Sequence, residues 1–398
     1  MDLLLDDETE AFRVEVREFL AANVPNPPLP SYDSPEGAVA HRQWERTLYD
    51  AGFSAVSWPK EYGGRDVTLL QWVIFEEEYF KAGAPARISQ NGMFLLGPTL
   101  FAHGSKDQLD RILPKMANGD EIWAQAWSEP ESGSDLASLR SPARKVDGGW
   151  RLSGQKIWSS RAPFADRAFG LFRSGAAEPA TSGQRPSRHD GLTYFMFDLK
   201  AEGVTVRPIP QLDGDPGFAE IFLDDVFVPD EDVIGAVDDG WRVAMSTSSN
   251  ERGMSLRSPG RFLATADRLV ELWKSVSENG FASERVADAW IAAQAYRLHT
   301  FGTVTRLSGG GELGAESSIT KVFWSELDVA LHETAIDLRG ADGELTGPPD
   351  ADWTSGYLFS LGGPIYAGTN EIQRNIIAER ILGLPRESSV SARTGGAK

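Results

Sequence analysis

The sequence predicts an α+β protein in which a helical stretch, a compact β region and a helical bundle follow one another. Three observations carry that reading. Apolar residues recur at spacings of three and four up to about residue 122, the pattern turns to alternation with turn signals from Trp123, and helical spacing returns after Gly240. Strand runs set between helix runs argue against alternating βαβ units. No G-x-G-x-x-G follows a strand candidate and no G-x-x-x-x-G-K-[ST] occurs, so dinucleotide-fold and P-loop readings fail.

In the first stretch, Leu5, Glu8, Phe12, Val16 and Phe19 make one stripe of an amphipathic helix, which the proline-rich segment 25–30 breaks. A second helix is expected from about Ser34 to Ala51, ended by Gly52, followed by a loop at 58–64. Helical spacing resumes at 69–81 and 105–118. In KVDGGWRLSGQKIWSS (145–160), Asp147, Gly148 and Gly149 separate two alternating runs, a hairpin signal. Strands are expected at 192–199, 204–212 and 219–228, the last closed by Pro229. Residues 175–191 are small, polar and Pro/Gly-containing and read as a mobile surface loop. Helices are expected at 241–277, 284–307, 312–338 and 370–382, with punctuated stretches at 340–352 and 362–368. The expected domains are 1–122, 123–235 and 236–385, with 386–398 a disordered tail.

Composition removes several functions. Cysteine is absent, which excludes a disulfide scaffold, a thiolate metal site and a cysteine nucleophile. The five histidines, His41, His103, His189, His299 and His332, include no pair at a metal-ligand spacing, so no metal is expected. A net charge of −19, from 39 basic and 58 acidic residues, argues against nucleic acid or an anionic membrane as partner. No apolar run reaches the ~20 residues that a membrane span needs. The acidic start MDLLLDDETEAF carries neither a secretory signal nor a basic transit peptide, and a cytoplasmic protein is expected.

Four segments offer chemistry. In residues 126–138 small residues and hydroxyls cluster where the β region begins, and backbone amides of such a loop can converge on an anion or on the polar edge of a ring; the plainer reading is a Ser/Gly loop. In a strand at 155–160, Trp158 and Ser160 share a face, which suits a planar heterocycle; the plainer reading is a core tryptophan. On the helix after the β region, Trp241, Ala244, Ser248 and Glu251 form one stripe. Glu251 there is either a solvated charge or a carboxylate lining a cavity. In 365–380, Gly368 closes a turn and Thr369 or Asn370 caps a helix whose first amides suit a phosphate; an ordinary capped helix is the plainer reading.

Taken together and in this order, the segments resemble the acyl-CoA dehydrogenase superfamily of flavoproteins, over nearly the whole chain. FAHGSKDQ (101–108) with LPKMANG (113–119), SEPESGSD (128–135), GQKIWSS (154–160), DDVFVPDEDVIG (224–235) and IYAGTNEIQRNIIAERILG (365–383) carry the resemblance. It implies an N-terminal helical domain, a central β-barrel and a C-terminal four-helix bundle, with FAD as cofactor. The implied reaction is α,β-dehydrogenation of an acyl thioester: a carboxylate takes the α-proton and the β-hydride goes to flavin N5. Hydrogen bonds to the thioester carbonyl and stacking on flavin ease proton removal by stabilising enolate character. The base is expected to have a raised pKa in a desolvated pocket.

Carried over residue by residue, backbone groups of Trp127 and Ser128 meet the isoalloxazine edge and Ser134 meets the pyrophosphate. Trp158 packs on the ring and Ser160 approaches N5. Gly368, Thr369 and Glu371 lie near the ADP portion, and the Ala367 N–H helps hold the thioester oxygen. The implied partners are an acyl-CoA or other acyl thioester and an electron-transfer flavoprotein, in a homodimer, homotetramer or heterotetramer.

Three departures bear on mechanism. The position of the commonest family base is Ala367, which takes no proton. A minority of the family places the base on the long helix just before an arginine, which here is Glu251 before Arg252. Glu251 is therefore the expected base and Arg252 its pKa-tuning or structural neighbour. The family's Arg-x-x-Phe-Gly is missing near 277–281, and its Gln-x-x-Gly-Gly-x-Gly reads Asp337-Leu-Arg-Gly-Ala-Asp-Gly343, which points to heteromeric relatives in which only some interfaces hold FAD. Arg285 and Arg339 are candidate phosphate partners. Two alternatives stand beside the dehydrogenase: a flavin-dependent oxidase or monooxygenase of the same superfamily, and a non-catalytic subunit that completes another chain's site. Residues 91–96 are expected along the acyl pocket. The Glu251 position suggests a branched, bulky or long acyl group, such as a steroid side chain or a biosynthetic acyl unit. The negative charge gives no attraction for an acidic carrier protein, which favours CoA.

Overall fold

The structure is a computed structural model that describes residues 4–175, 187–212, 214, 216–253, 256–276, 280–345 and 351–386, with the side chains at 249–253 and 351–352 outside the described set. Most of the loop expected at 175–191 and almost all of the tail from 386 lie outside the described residues.

Helix α1 (Asp7–Asn23) starts where the Asp6 carboxylate accepts from the Thr9 N–H, and buries Phe12, Val16 and Leu20. Ser34 caps α2 (Pro35–Asp50). Reciprocal Ser/Thr–Gln capping boxes open α3 (Leu69–Lys81) at Thr68 and Gln71, and α5 (Lys106–Ala117) at Ser105 and Gln108. Between them a π turn, Gly92–Leu96, runs into α4 (Gly97–His103). Trp44, Leu48, Phe53 and Phe75 close the core around α1.

The β region holds β1 (Trp123–Ala126), β2 (Ala143–Val146), β3 (Gly149–Ser160), β4 (Arg167–Arg173), β5 (Leu192–Asp198), β6 (Val204–Ile209), β7 (Phe218–Pro229) and β8 (Val233–Ile234). Two four-stranded sheets form, in the orders β1-β4-β5-β8 and β2-β3-β7-β6. Only the β1–β4 pair is parallel. Trp150, Leu152, Ile221 and Val226 of one sheet and Phe172, Phe195 and Phe197 of the other share one core. The expected hairpin is present, with Val146 opposite Gly149. Strand β1 begins at Trp123, where the β pattern is expected to begin, whereas no strand is expected at β4, because RAFGLFR is buried on both faces and carries no alternation.

The helix expected at 241–277 is two helices, α6 (Gly240–Gly253) and α7 (Ser258–Val276). The apolar period runs through the break, but Gly253 and Ser258-Pro259 are ordinary stop and start signals. Helices α8 (Ser283–Ser308) and α9 (Ser317–Arg339) pack on α7 through Phe262, Leu269, Ala293, Tyr296, Leu331 and Ala335. An unanticipated α10 (Ala351–Ser360) precedes α11 (Asn370–Ile376), whose last turn continues as a π turn at Ile377–Ile381. Among the described residues no helix is long and apolar enough to cross a membrane.

Polar contacts fix the layers to one another. Asp166 accepts from Arg42 at 2.8 Å and from the Ile122 N–H at 3.0 Å. Gln108 donates to the carbonyls of Glu231 and Val233, at 2.8 and 2.7 Å. Asp232 receives both Arg111 and Arg167. Arg297 pairs with Glu77, and Arg257 with Glu76, joining α3 to the C-terminal helices.

Candidate active site

Strand β3 departs from regular pairing where the sequence placed chemistry. Lys156 pairs with Ile221 and Ser159 with Ala219, so three steps along β3 oppose two along β7. The extra residue is a β-bulge, and Trp158 takes a left-handed backbone with φ of 59°. The bulge reverses the in–out order. Lys156 and Ser159 point into the core, whereas Trp158 is 57% exposed, touched edge-on by Phe218 at 6.1 Å. The core-tryptophan reading is therefore excluded; Trp123 and Trp150 fill that role. Ser160 is half-buried, and its carbonyl accepts from the Asn91 side chain at 3.4 Å, which brings the expected acyl-pocket segment alongside it.

The loop after β1 is joined to this strand. The Ile157 N–H donates to the Ser128 carbonyl at 2.9 Å. Glu129 and Ser132 exchange backbone hydrogen bonds of 2.9 and 3.0 Å. The hydroxyls of Ser132 and Ser138 both donate to the Asp135 carbonyl. Ser134 is exposed, and next to it a Cβ on Gly133 would meet nothing within 4 Å. Trp127 is half-buried and donates from its indole to the Tyr194 hydroxyl at 3.0 Å. Tyr194 lies 3.3 Å from the Thr247 hydroxyl of α6, which in turn lies 2.8 Å from that of Thr99. This buried chain ties the loop to α6 and α4.

Two groups that the sequence reading assigned no role sit beneath this loop. The Lys156 ammonium is wholly buried and donates to Glu129 at 2.8 Å and to the Leu171 carbonyl at 2.7 Å. Burial pulls its pKa down to about 8 against the charge of Glu129. Burial alone would raise the Glu129 carboxyl; the Lys156 charge and hydrogen bond, then the Ser141 side chain and the Arg140 N–H, hold it below the usual carboxylate range. A lysine at an inward position of an alternating strand was the one available signal, and its partner was not legible.

Glu251 and Arg252 lie in the last turn of α6, and their side chains fall outside the described residues. Thr247, four residues before Glu251 on α6, meets Tyr194. Ala244 on this stripe is buried, and Trp241 and Ser248 are half-buried.

The C-terminal segment is held on the bundle. Asn370 does not cap; Thr369 does, accepting from the Ile372 N–H, while the Asn370 side chain turns inward to Lys321 and Ser325 at 2.8 and 3.0 Å. Ala367 and Gly368 both have left-handed backbones, with φ of 56° and 80°. Gln373 donates to both their carbonyls, and its own amide oxygen is buried with no partner among the described residues. Exposed Glu371 is held below the usual carboxylate range by its own N–H first and the Thr369 hydroxyl second. Asp337 and Arg285 pair with each other. Among the described residues no group of His, Asp and Glu is arranged to hold a metal ion.

The donor set fits FAD. A bare indole face, hydroxyls and open backbone around Gly133 and Ser134, and the orphaned Gln373 oxygen are the features a flavin, a diphosphate and a polar nucleotide portion would engage.

Residues 6–120, 124–226 and 238–382 match the families described as the N-terminal, middle and C-terminal domains of acyl-CoA dehydrogenase. The chain is similar to acyl-CoA dehydrogenase IpdE1 of Mycolicibacterium smegmatis, 38% identical with 96% of this chain and 99% of that protein covered. Its fold is similar to that of the Tcur3481-Tcur3483 steroid ACAD, with a TM-score of 0.85 at 24% identity over 97% of this chain and 100% of that one. It is also similar to the ChsE4-ChsE5 complex from Mycobacterium tuberculosis, with a TM-score of 0.81 at 25% identity over 97% and 100%.

Proposed function

The chain belongs to the acyl-CoA dehydrogenase family and is an FAD-dependent acyl-CoA dehydrogenase, and on that premise we propose that Glu251 is its base and a bulky, polycyclic or branched acyl-CoA its substrate. The observation that carries the site assignment is the bulge that turns Trp158 out of the core beside Ser160 and the Ser128–Ile157 junction. A bulky aromatic residue held left-handed and bare is a local strain that the fold keeps for a ligand.

When bound, FAD supplies the acceptor for the β-hydride. In this reading Trp158 would pack on the ring with Ser160 near its reactive edge, backbone groups of Trp127 and Ser128 would hold the ring edge, and Ser134 would hold the diphosphate. Gly368, Thr369 and Glu371 would hold the nucleotide portion. The Ala367 N–H donates to the thioester oxygen as negative charge grows there. Glu251 takes the α-proton, the β-carbon's hydrogen leaves with its electron pair, and the α–β double bond forms. Arg252 tunes Glu251. The α6 face at Thr247, which meets Tyr194, supports placing the base on this helix, and Ala367 leaves no carboxylate at the alternative position. An electron-transfer flavoprotein is the proposed electron acceptor.

The test is the flavin absorption band of purified protein during anaerobic addition of a panel of acyl-CoAs. Bleaching is expected with bulky or steroid-derived acyl-CoAs, without rapid oxygen uptake during turnover. Glu251→Gln is expected to keep the band and slow bleaching about a thousandfold. An unchanged rate would remove Glu251 as base.

We further propose a heteromeric assembly. The relatives in solved structures include heteromeric complexes. In this chain Arg285 is engaged by Asp337, which stands where the family's Gln-x-x-Gly-Gly-x-Gly has its glutamine, and the Arg-x-x-Phe-Gly that contacts a neighbouring subunit's FAD is missing near 277–281. Ile291 on α8, together with Ile365 and Leu382, leaves apolar surface exposed on the bundle, as a subunit interface would.

A further inference from the structure

Two segments that line the proposed flavin site, 127–128 and 157–160, come from different parts of the chain, and a buried ion pair behind them joins the two. The Glu129 carboxylate lies within the fold at the foot of the first segment. One of its oxygens accepts from Lys156 at 2.8 Å and from the Ser141 N–H at 3.0 Å; the other accepts from the Arg140 N–H at 2.7 Å. Lys156 also donates across to the other sheet, at the Leu171 carbonyl of β4, and lies 4.5 Å over the Phe172 ring. Its ammonium is 3.5 Å from the Trp127 carbonyl. Lys156 is two residues before the bulged Trp158, and Glu129 is one residue after Ser128, whose carbonyl accepts from Ile157. The pair thus sits directly behind the surface that the flavin reading needs, and spans both sheets.

Stability does not account for it. A buried ion pair recovers little more than its desolvation cost, and well-packed apolar residues of similar volume often do as well. What such a pair gives is a single register. We propose that Glu129 and Lys156 are positioning residues for FAD: they lock the Trp127–Ser128 backbone and the Trp158 bulge into one rigid surface, without themselves touching the cofactor. This rests on the FAD assignment of the proposed function.

The test uses the full chain purified with its FAD. FAD release on dilution is followed by the rise of flavin fluorescence, and unfolding in urea at saturating FAD by far-UV circular dichroism. Lys156→Met combined with Glu129→Gln removes both charges at similar volume. It is expected to unfold near the wild-type urea concentration, yet to release FAD about tenfold faster and to blur the shoulders of the flavin band. Lys156→Arg, which keeps the charge, is expected to recover most of that loss. If the double variant does not fold, Glu129→Gln measured at about pH 9, where Lys156 is neutral, carries the same two readings. Wild-type release and an unaltered band in a neutral variant would overturn the proposal, as would a faster release fully matched by lost stability. Folded wild-type protein that takes up no FAD would overturn the cofactor assignment itself, and the urea transition tells that result apart from failure of the pair.

Discussion

Trp158 and Trp150 lie on one strand and differ in what their removal should cost. Trp150 is 4% exposed in the β core, and Trp150→Ala should cost about 3–5 kcal/mol. Trp158 has one edge contact and a left-handed backbone, so Trp158→Ala should change stability by no more than about 1 kcal/mol while weakening FAD binding. Urea unfolding and flavin release measured on both variants check the contrast. Lys156 gives a pH signature of its own. The groups facing it are Glu129, the carbonyls of Leu171 and Trp127, and the Phe172 ring. Its pKa is about 8 in the fold against 10.5 for a free lysine. Between those values the unfolded chain holds a proton that the fold has released, so this group makes stability rise with pH there. The stability difference between wild type and Lys156→Met should therefore grow in favour of wild type from pH 8 to 10.5 in urea titrations. The residue types at 158 and 156 were legible in the sequence. The outward turn of Trp158 and the partner of Lys156 were not, because both depend on pairing with strands distant in the chain.

Among the elements, α5 shows how local and tertiary signals agree. Ser105-x-x-Gln108 is a capping box readable from sequence, and the helix begins there. The Gln108 amide does a second task that no local pattern reveals, donating to two carbonyls around β8. Gln108→Ala removes a cap and takes the amide donor from both carbonyls, that of Glu231 keeping Arg111 at 3.4 Å. It should cost about 2–3 kcal/mol, seen as a fall in the urea midpoint with the slope unchanged. Helices at 34–51, 69–81 and 105–118 and the 145–160 hairpin were legible because each carries a complete local period and a terminal signal. The break between α6 and α7 is not expected from the apolar spacing, although Gly253 and Ser258-Pro259 are stop and start signals. β4 is not legible because a strand buried on both faces shows no period to read.

At the scale of the whole molecule, the arrangement of helical stretch and paired sheets sets Ser128 against Ile157 and Asn91 against Ser160, the last two 69 residues apart in the chain. Whether the bundle completes a second flavin site is a question of assembly. With Asp337 holding Arg285, the heteromeric reading expects roughly one FAD per two chains once the partner chain is supplied. Native mass spectrometry with flavin quantified by absorbance checks this, and one FAD per chain in a homomer would refute the heteromer. The sequence by itself determined the order of the three regions, the absence of thiol chemistry, the signature segments and the alanine at 367, since each is written in composition or in spacing of a few residues. Only the tertiary structure decided that Trp158 faces out, that a buried lysine and glutamate brace the loop beneath Trp127, and that Thr247 ties α6 to Tyr194. Those outcomes rest on strand register and on desolvated contacts between residues far apart in the chain, which no local pattern encodes.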